Sequence, residues 1–202
     1  MNKKKIIIGI IIVLLLIAAI FTVITIRKVG IFKSLLANAT ETDKNTNFHM
    51  VVNPTGQNRQ KMEVYQKDET HYLVKMASND GEWETIFYQN GEESFRATNT
   101  RGQKLVKKNE MGRTTLQTFK QEVDQDHLWN EATKASVHST KFANKDCYEI
   151  KGKRGDLDST IVVEKATGLV LKAISSECSY EIGTVTDADI QRPDLTGYTE
   201  IN

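Results

Sequence analysis

Residues 82–98 read EWETIFYQNGEESFRAT. Two runs of alternating apolar and polar side chains flank Asn90-Gly91, the strongest short hairpin signal a sequence carries, because such a turn needs positive φ. The stretch therefore predicts two antiparallel strands joined by a tight turn. Working outward, 48–52, 61–66 and 71–76 before it and 103–107 after it have the same β-branched and aromatic character between turn residues. Six short strands in series predict an antiparallel meander. Alternation assigns one apolar face to Phe48, Met50, Val52, Met62, Val64, Tyr72, Val74, Met76, Trp83, Phe87, Phe95 and Ala97,. A sheet with one apolar face needs a cover.

Far upstream, residues 6–26 read IIIGIIIVLLLIAAIFTVITI, 21 residues without a charge. At the helical rise this run is roughly 31 Å long, the thickness of a hydrocarbon core. It predicts a transmembrane helix. Cleavage as a signal peptide fits less well: the small-x-small site Ala37-Asn38-Ala39 lies about eleven residues past the run, which also exceeds a signal h-region. Lys3, Lys4 and Lys5 give residues 1–5 the character of a short basic cytoplasmic tail, which puts the large domain outside,. Residues 27–46 read as a stalk, helical or flexible, with Ile31, Phe32, Leu35 and Leu36 on one face. Its alternative is an extension of the membrane helix into the interface.

With Lys3, Lys4, Lys5, Arg27 and Lys28 set aside, 22 basic residues face 26 acidic ones, so the chain after the span is near −4, and within it the domain is placed at 47–202. No basic stripe is present, and nucleic acid is not an expected partner. Within that domain Leu116, Phe119, Val123 and Leu128 are close to helical spacing, and Thr114 with Gln117 forms a capping-box pattern,. They predict an amphipathic helix at 114–132 lying over the sheet. A second β-block follows at 145–152, 160–164, 169–175 and 177–183, with Thr167-Gly168 turning its middle strands. The fold class expected is α+β: a transmembrane helix, then a large curved antiparallel sheet covered by an amphipathic helix.

The second block, Cys147-Tyr148-Glu149-Ile150 and then Val163-Glu164-Lys165-Ala166-Thr167-Gly168-Leu169-Val170-Leu171-Lys172, resembles the outer-membrane lipoprotein-carrier superfamily, the LolA-like and LppX-like domains. The likeness lies in an acidic-basic-x-Thr-Gly-Leu turn between two core strands. It implies a half-open β-barrel with an apolar cavity that shelters acyl chains. Lipid or lipoprotein would then be the ligand, with no catalysis and no cofactor. A carrier domain fixed to a membrane helix cannot diffuse between membranes, so local capture is the function expected. Phe48, Met62, Val64, Tyr72, Val74, Trp83 and Phe87 are the expected ligand-binding residues. The alternative is a structural or sensory ectodomain that meets an envelope protein partner through its surface.

Cys147 and Cys178 are the only cysteines, and a bridge between them would close a loop of about 30 residues,. Alternation places Cys147 with Glu149 and Lys151, and Cys178 with Tyr180 and Ile182. Between neighbouring strands those faces oppose each other, which leaves the disulfide open in both directions. His127 and His138 are the nearest bases to Cys147 in sequence. No Gly-x-Ser-x-Gly elbow, phosphate loop or His-Glu-x-x-His helix occurs,. Asp156/Asp158 and Asp187/Asp189 lack the further oxygens of a calcium loop, and no metal site is expected.

Overall fold

A computed structural model describes residues 3–55, 60–112, 114–154 and 157–201. One helix, α1 (Lys3–Thr42), is followed by β1 (Phe48–Pro54), β2 (Gln60–Gln66), β3 (His71–Ser78), β4 (Trp83–Asn90), β5 (Glu93–Thr100) and β6 (Gln103–Lys108). A 3-10 turn (Phe119–Gln121) and a short helix, α2 (Leu128–Lys134), lead to β7 (Ser136–Phe142), β8 (Lys145–Arg154), β9 (Leu157–Glu164), β10 (Val170–Ala173), β11 (Ser176–Ile182) and β12 (Thr199–Ile201). Among the described residues the twelve strands form one open sheet, in the order β12-β6-β5-β4-β3-β2-β1-β11-β10-β9-β8-β7. All pairings are antiparallel except β12 with β6.

The α1 helix is continuous because no proline interrupts residues 3–42,. Its first half is the one helix among the described residues that is long and apolar enough to cross a membrane, and residues 6–24 of it are all exposed. Two hydroxyls inside it are satisfied locally: Thr22 donates to the Ala18 carbonyl at 2.8 Å and Thr25 to Phe21 at 3.0 Å. That local bonding is what a lipid environment demands.

Residues 27–42 continue the same helix, and the face carrying Phe32 and Leu35 does not stand clear as a stalk. Phe32, Leu35 and Ala39 are buried, and the first two share a core with Ile150, Ile161, Val163 and Val170 of β8–β10. Polar contacts pin the helix along its length. Lys28 Nζ donates to the Ala135 carbonyl at 2.5 Å, Asn38 Nδ2 to Lys165 at 2.7 Å and Thr42 Oγ1 to Thr167 at 2.8 Å.

The 82–98 hairpin forms as expected, with one refinement. Asn90 pairs with Glu93, so Gly91 and Glu92 make the turn, and Gly91 has φ +61°. Glycine at the first central position is the pattern of a II′ turn. A two-residue turn pairs odd-numbered with even-numbered positions: Phe87 faces Arg96 and Phe95 faces Tyr88. Phe95 and Ala97 therefore lie on the opposite side of the sheet from Phe48, contrary to the assignment by hydrophobicity. There they join Leu73, Tyr88 and Val106 under the C-terminal segment, whose Val185 and Ile190 complete the cluster.

The expected helix at 114–132 does not form as one element: only its end, 128–132, is α-helical, within α2. Residues 114–118 are extended, and Thr118 bridges Leu169. Val170 N–H donates to the Gln117 carbonyl and Phe119 N–H to the Gly168 carbonyl, at 2.9 and 2.8 Å. This segment takes the edge of β10 that β11 leaves, since β11 pairs with β10 only at Lys172↔Glu177 and Ala173↔Ser176. Leu116 then enters the central core while Phe119 enters the core under α1. A helix would put both, three residues apart, on one face, and the pairing with β10 overrides that propensity.

Candidate functional site

Six of the seven expected ligand-binding residues come together, as packed interior. Phe48, Val64, Tyr72 and Val74 are at most 2% exposed and share one cluster with Met50, Tyr180 and Leu171. Met62 and Phe87 pack against it half-buried. Trp83, at the start of β4, is also half-buried. The segment after β6 seals this face. Gly112 N–H donates to the Tyr72 hydroxyl at 3.3 Å, Leu116 fills the cluster, and Arg96 pairs with Glu110 at 2.7 Å. Gly112 lies so close on the Phe87 ring that a Cβ there would come within 2.2 Å of ring carbons. A cavity of about 220 Å³ reaches Phe48 from the α1 end, beside Leu116, Gln66 and Asp43.

A larger cavity, about 420 Å³, lies where the α1 helix crosses β8 and β9. Five elements build it. Phe32 comes from α1, Phe119 from the 3-10 turn, Ala135 from the end of α2, Ile150 from β8 and Ile161 from β9. Val123 completes the apolar wall, and Glu122, Glu131, Lys134, Lys153 and Ser159 supply polar groups. Phe32 and Phe119 meet edge to face, with centroids 5.1 Å apart and planes at 76°. Its wall is shared about evenly between apolar and polar groups, and its volume is in the range of a small-molecule site,. None of these residues is among those expected from the sequence, although Ile31, Phe32, Leu35 and Leu36 carried a signal. An apolar stripe on a helix past its long apolar run needs a surface to pack on.

The Glu164–Leu169 turn, which carries the superfamily resemblance, holds the far end of this assembly. Thr167 Oγ1 donates to Glu164 Oε2 at 2.7 Å and accepts from Leu169 N–H at 3.3 Å, while Lys145 Nζ pairs with the same carboxylate oxygen at 3.1 Å. Gly168 has φ +69° and sits directly against the backbone of α1.

Cys147 and Cys178 are both buried and unbridged. They share the central cluster, yet β9 and β10 separate their strands, three strand spacings or about 14 Å,. Disulfide geometry does not reach that far. Burial pushes both thiols up from their ordinary ionisation range, which disfavours the nucleophilic thiolate. Neither is expected to react with a water-soluble thiol reagent in the native protein, while denaturation without reductant exposes two reactive thiols. One equivalent of label taken up by the native protein, or none after denaturation, would contradict this placement.

Three of the four histidines are engaged elsewhere, and His138 is exposed on β7 opposite Glu149 of β8. His49 stacks on Tyr65 at 4.4 Å and lies 3.3 Å from Glu63, His71 lies 2.8 Å from Asp68, and His127 lies 2.9 Å from Asp124. Among the described residues no group of three His, Cys, Asp or Glu gathers as a metal site. Asp187 pairs with Lys67 and Asp189 accepts from Thr186, while Asp156 lies outside the described residues. No protein-family model matches the chain, and no curated protein is found to be similar to it.

Proposed function

We propose that this chain is a membrane-tethered extracytoplasmic module that binds an acyl chain or another lipid-like apolar ligand. The observation that carries the reading is the 420 Å³ cavity whose wall includes Phe32, on the helix that runs without a break from the apolar segment. A ligand leaving the bilayer beside that helix meets the opening a few turns from where it starts. Hydrophobic burial against Phe119, Val123, Ile150 and Ile161 supplies affinity, and Lys134 and Lys153, beside Glu122 and Glu131, offer charged partners of both signs to a polar head,. The ligand site thus moves from the sheet face expected from the sequence to the underside of α1. The basic residues before the span favour a cytoplasmic N-terminus. A second reading, a structural or sensory ectodomain that meets an envelope partner, draws its support from the packing of Phe48, Val64, Tyr72 and Val74, which fills that face except for the 220 Å³ cavity beside Phe48.

A photoreactive fatty acid separates the two. Added to the full chain in nanodiscs and irradiated, it is expected to label peptides within 119–135 and 150–161, and Val123→Trp is expected to reduce that label severalfold. Labelling confined to residues 6–26 would mean contact with bulk lipid only and favour the ectodomain.

A further inference from the structure

Thr25 is in the last turn of the apolar run, between Ile24 and Ile26, yet it is only 1% exposed while both neighbours are about half exposed. Protein therefore lies beside the helix before the apolar run ends. The element packed there is α2. Lys28, one turn after Thr25 on the same face and about 4.5 Å further along the axis, donates to the Ala135 carbonyl that caps α2. Ala132 of α2 is fully buried, but Trp129, on the same short helix, is 54% exposed. Outside the apolar run, among the described residues, only Met111 at 69% and Ile174 at 60% are large apolar side chains as exposed as Trp129. Ile174 lies in the turn joining β10 to β11. That turn projects from the same end of the sheet as the end of β8 and the start of β9, the end to which Ala135 and Gly152 belong.

We infer that this end of the domain is seated in the head-group layer of the membrane that α1 spans, with the Trp129 indole immersed at the interface and Ile174 dipping beside it. Tryptophan suits that layer, because its ring is apolar and its N–H finds polar partners there. The seat follows from the continuity of α1: a rigid helix that carries α2 at Thr25 and Lys28 fixes α2 at the depth where the hydrocarbon ends. The domain then has one orientation on the bilayer, and the cavity beside Ala135 opens next to lipid. The inference rests on the apolar run spanning a membrane, and is independent of any ligand.

Trp83 and Trp129 are the two tryptophans, so Trp83→Phe isolates the signal. In vesicles of phosphatidylcholine, lipid brominated near the head-group end of its chains is expected to quench Trp129 emission strongly. Lipid brominated near the chain terminus quenches less, and aqueous acrylamide loses most of its effect relative to the denatured protein. The reciprocal Trp129→Phe variant, which keeps Trp83, shows little bromine quenching. Should Trp83→Phe fail to fold, subtracting the Trp129→Phe emission from that of the unaltered chain gives the same quantity. Alkaline carbonate washing separates the two ways to fail. A protein that stays with the vesicles but shows acrylamide-accessible, bromine-insensitive Trp129 overturns the seating alone. A protein that washes off overturns the span as well.

Discussion

A chain that begins at Asp43 is expected not to fold, whereas one that begins at Arg27 is expected to fold as a soluble, cooperative domain. The second half of α1 buries Phe32 and Leu35 almost completely, together with Ala39, and packs Val29, Ile31 and Leu36 against the same core. Burying a large apolar side chain contributes about 1.5–3 kcal/mol, an upper estimate given a compact unfolded chain. Two full and three partial burials together approach the roughly 5–15 kcal/mol that holds an ordinary domain. Three hydrogen bonds from Lys28, Asn38 and Thr42 go with them. What remains exposes Ile150, Ile161, Val163 and Val170 as one patch on β8–β10, an aggregation surface,. Circular dichroism melts and size-exclusion profiles of the two chains give the comparison, and a cooperative melt from the chain starting at Asp43 would show that α1 is only attached to the domain.

The same contacts mark where sequence reasoning succeeds and where it stops. Ten strands are legible because alternation and turn residues are local signals: residues 71–76, 93–98 and 103–107 expand by one or two positions into β3, β5 and β6. Residues 136–142 are not legible as β7. They form a sheet edge with only Val137 and Phe142 as large apolar side chains, so the alternation is faint. At 114–132 the apolar spacing fits a helix, but the free edge of β10 is a non-local fact that no periodicity reports. The site fails for a similar reason. Composition identifies Phe48, Val64, Tyr72 and Val74 as one apolar face, but whether that face is a pocket or an interior depends on Gly112 and Leu116 folding back over it from the end of β6. The stripe Phe32/Leu35 is visible in the sequence, and its partner surface, a hundred residues away, is not.

Replacing Gly168 with alanine is expected to cost about 2–5 kcal/mol and to loosen α1 from the sheet, because two separate penalties coincide at that position. The first is conformational: φ is +69°, and a side chain in the left-handed region costs roughly 1–2 kcal/mol. The second is contact. An added Cβ would stand 2.7 Å from Ala39 N and Leu35 O and 2.8 Å from Ala39 Cβ, so backbone, not a flexible side chain, must yield. Crowding a packed interface costs typically 1–3 kcal/mol. Gly183 supplies the control, having φ +76° with nothing within 4 Å of its would-be Cβ. Gly183→Ala should therefore show the conformational penalty alone. In the full chain in detergent the difference should appear as a Tm lower for Gly168→Ala by roughly 2–12 °C than for Gly183→Ala, with faster amide exchange at 161–170 in the former. If the two variants lose equal stability, α1 is not held against the β9–β10 turn, and the cavity wall that depends on Phe32 loses its support with it. The Thr-Gly-Leu turn would then be only a hairpin. With the difference present, the glycine has a second duty: it lets the α1 helix lie close enough to the sheet to become part of its core.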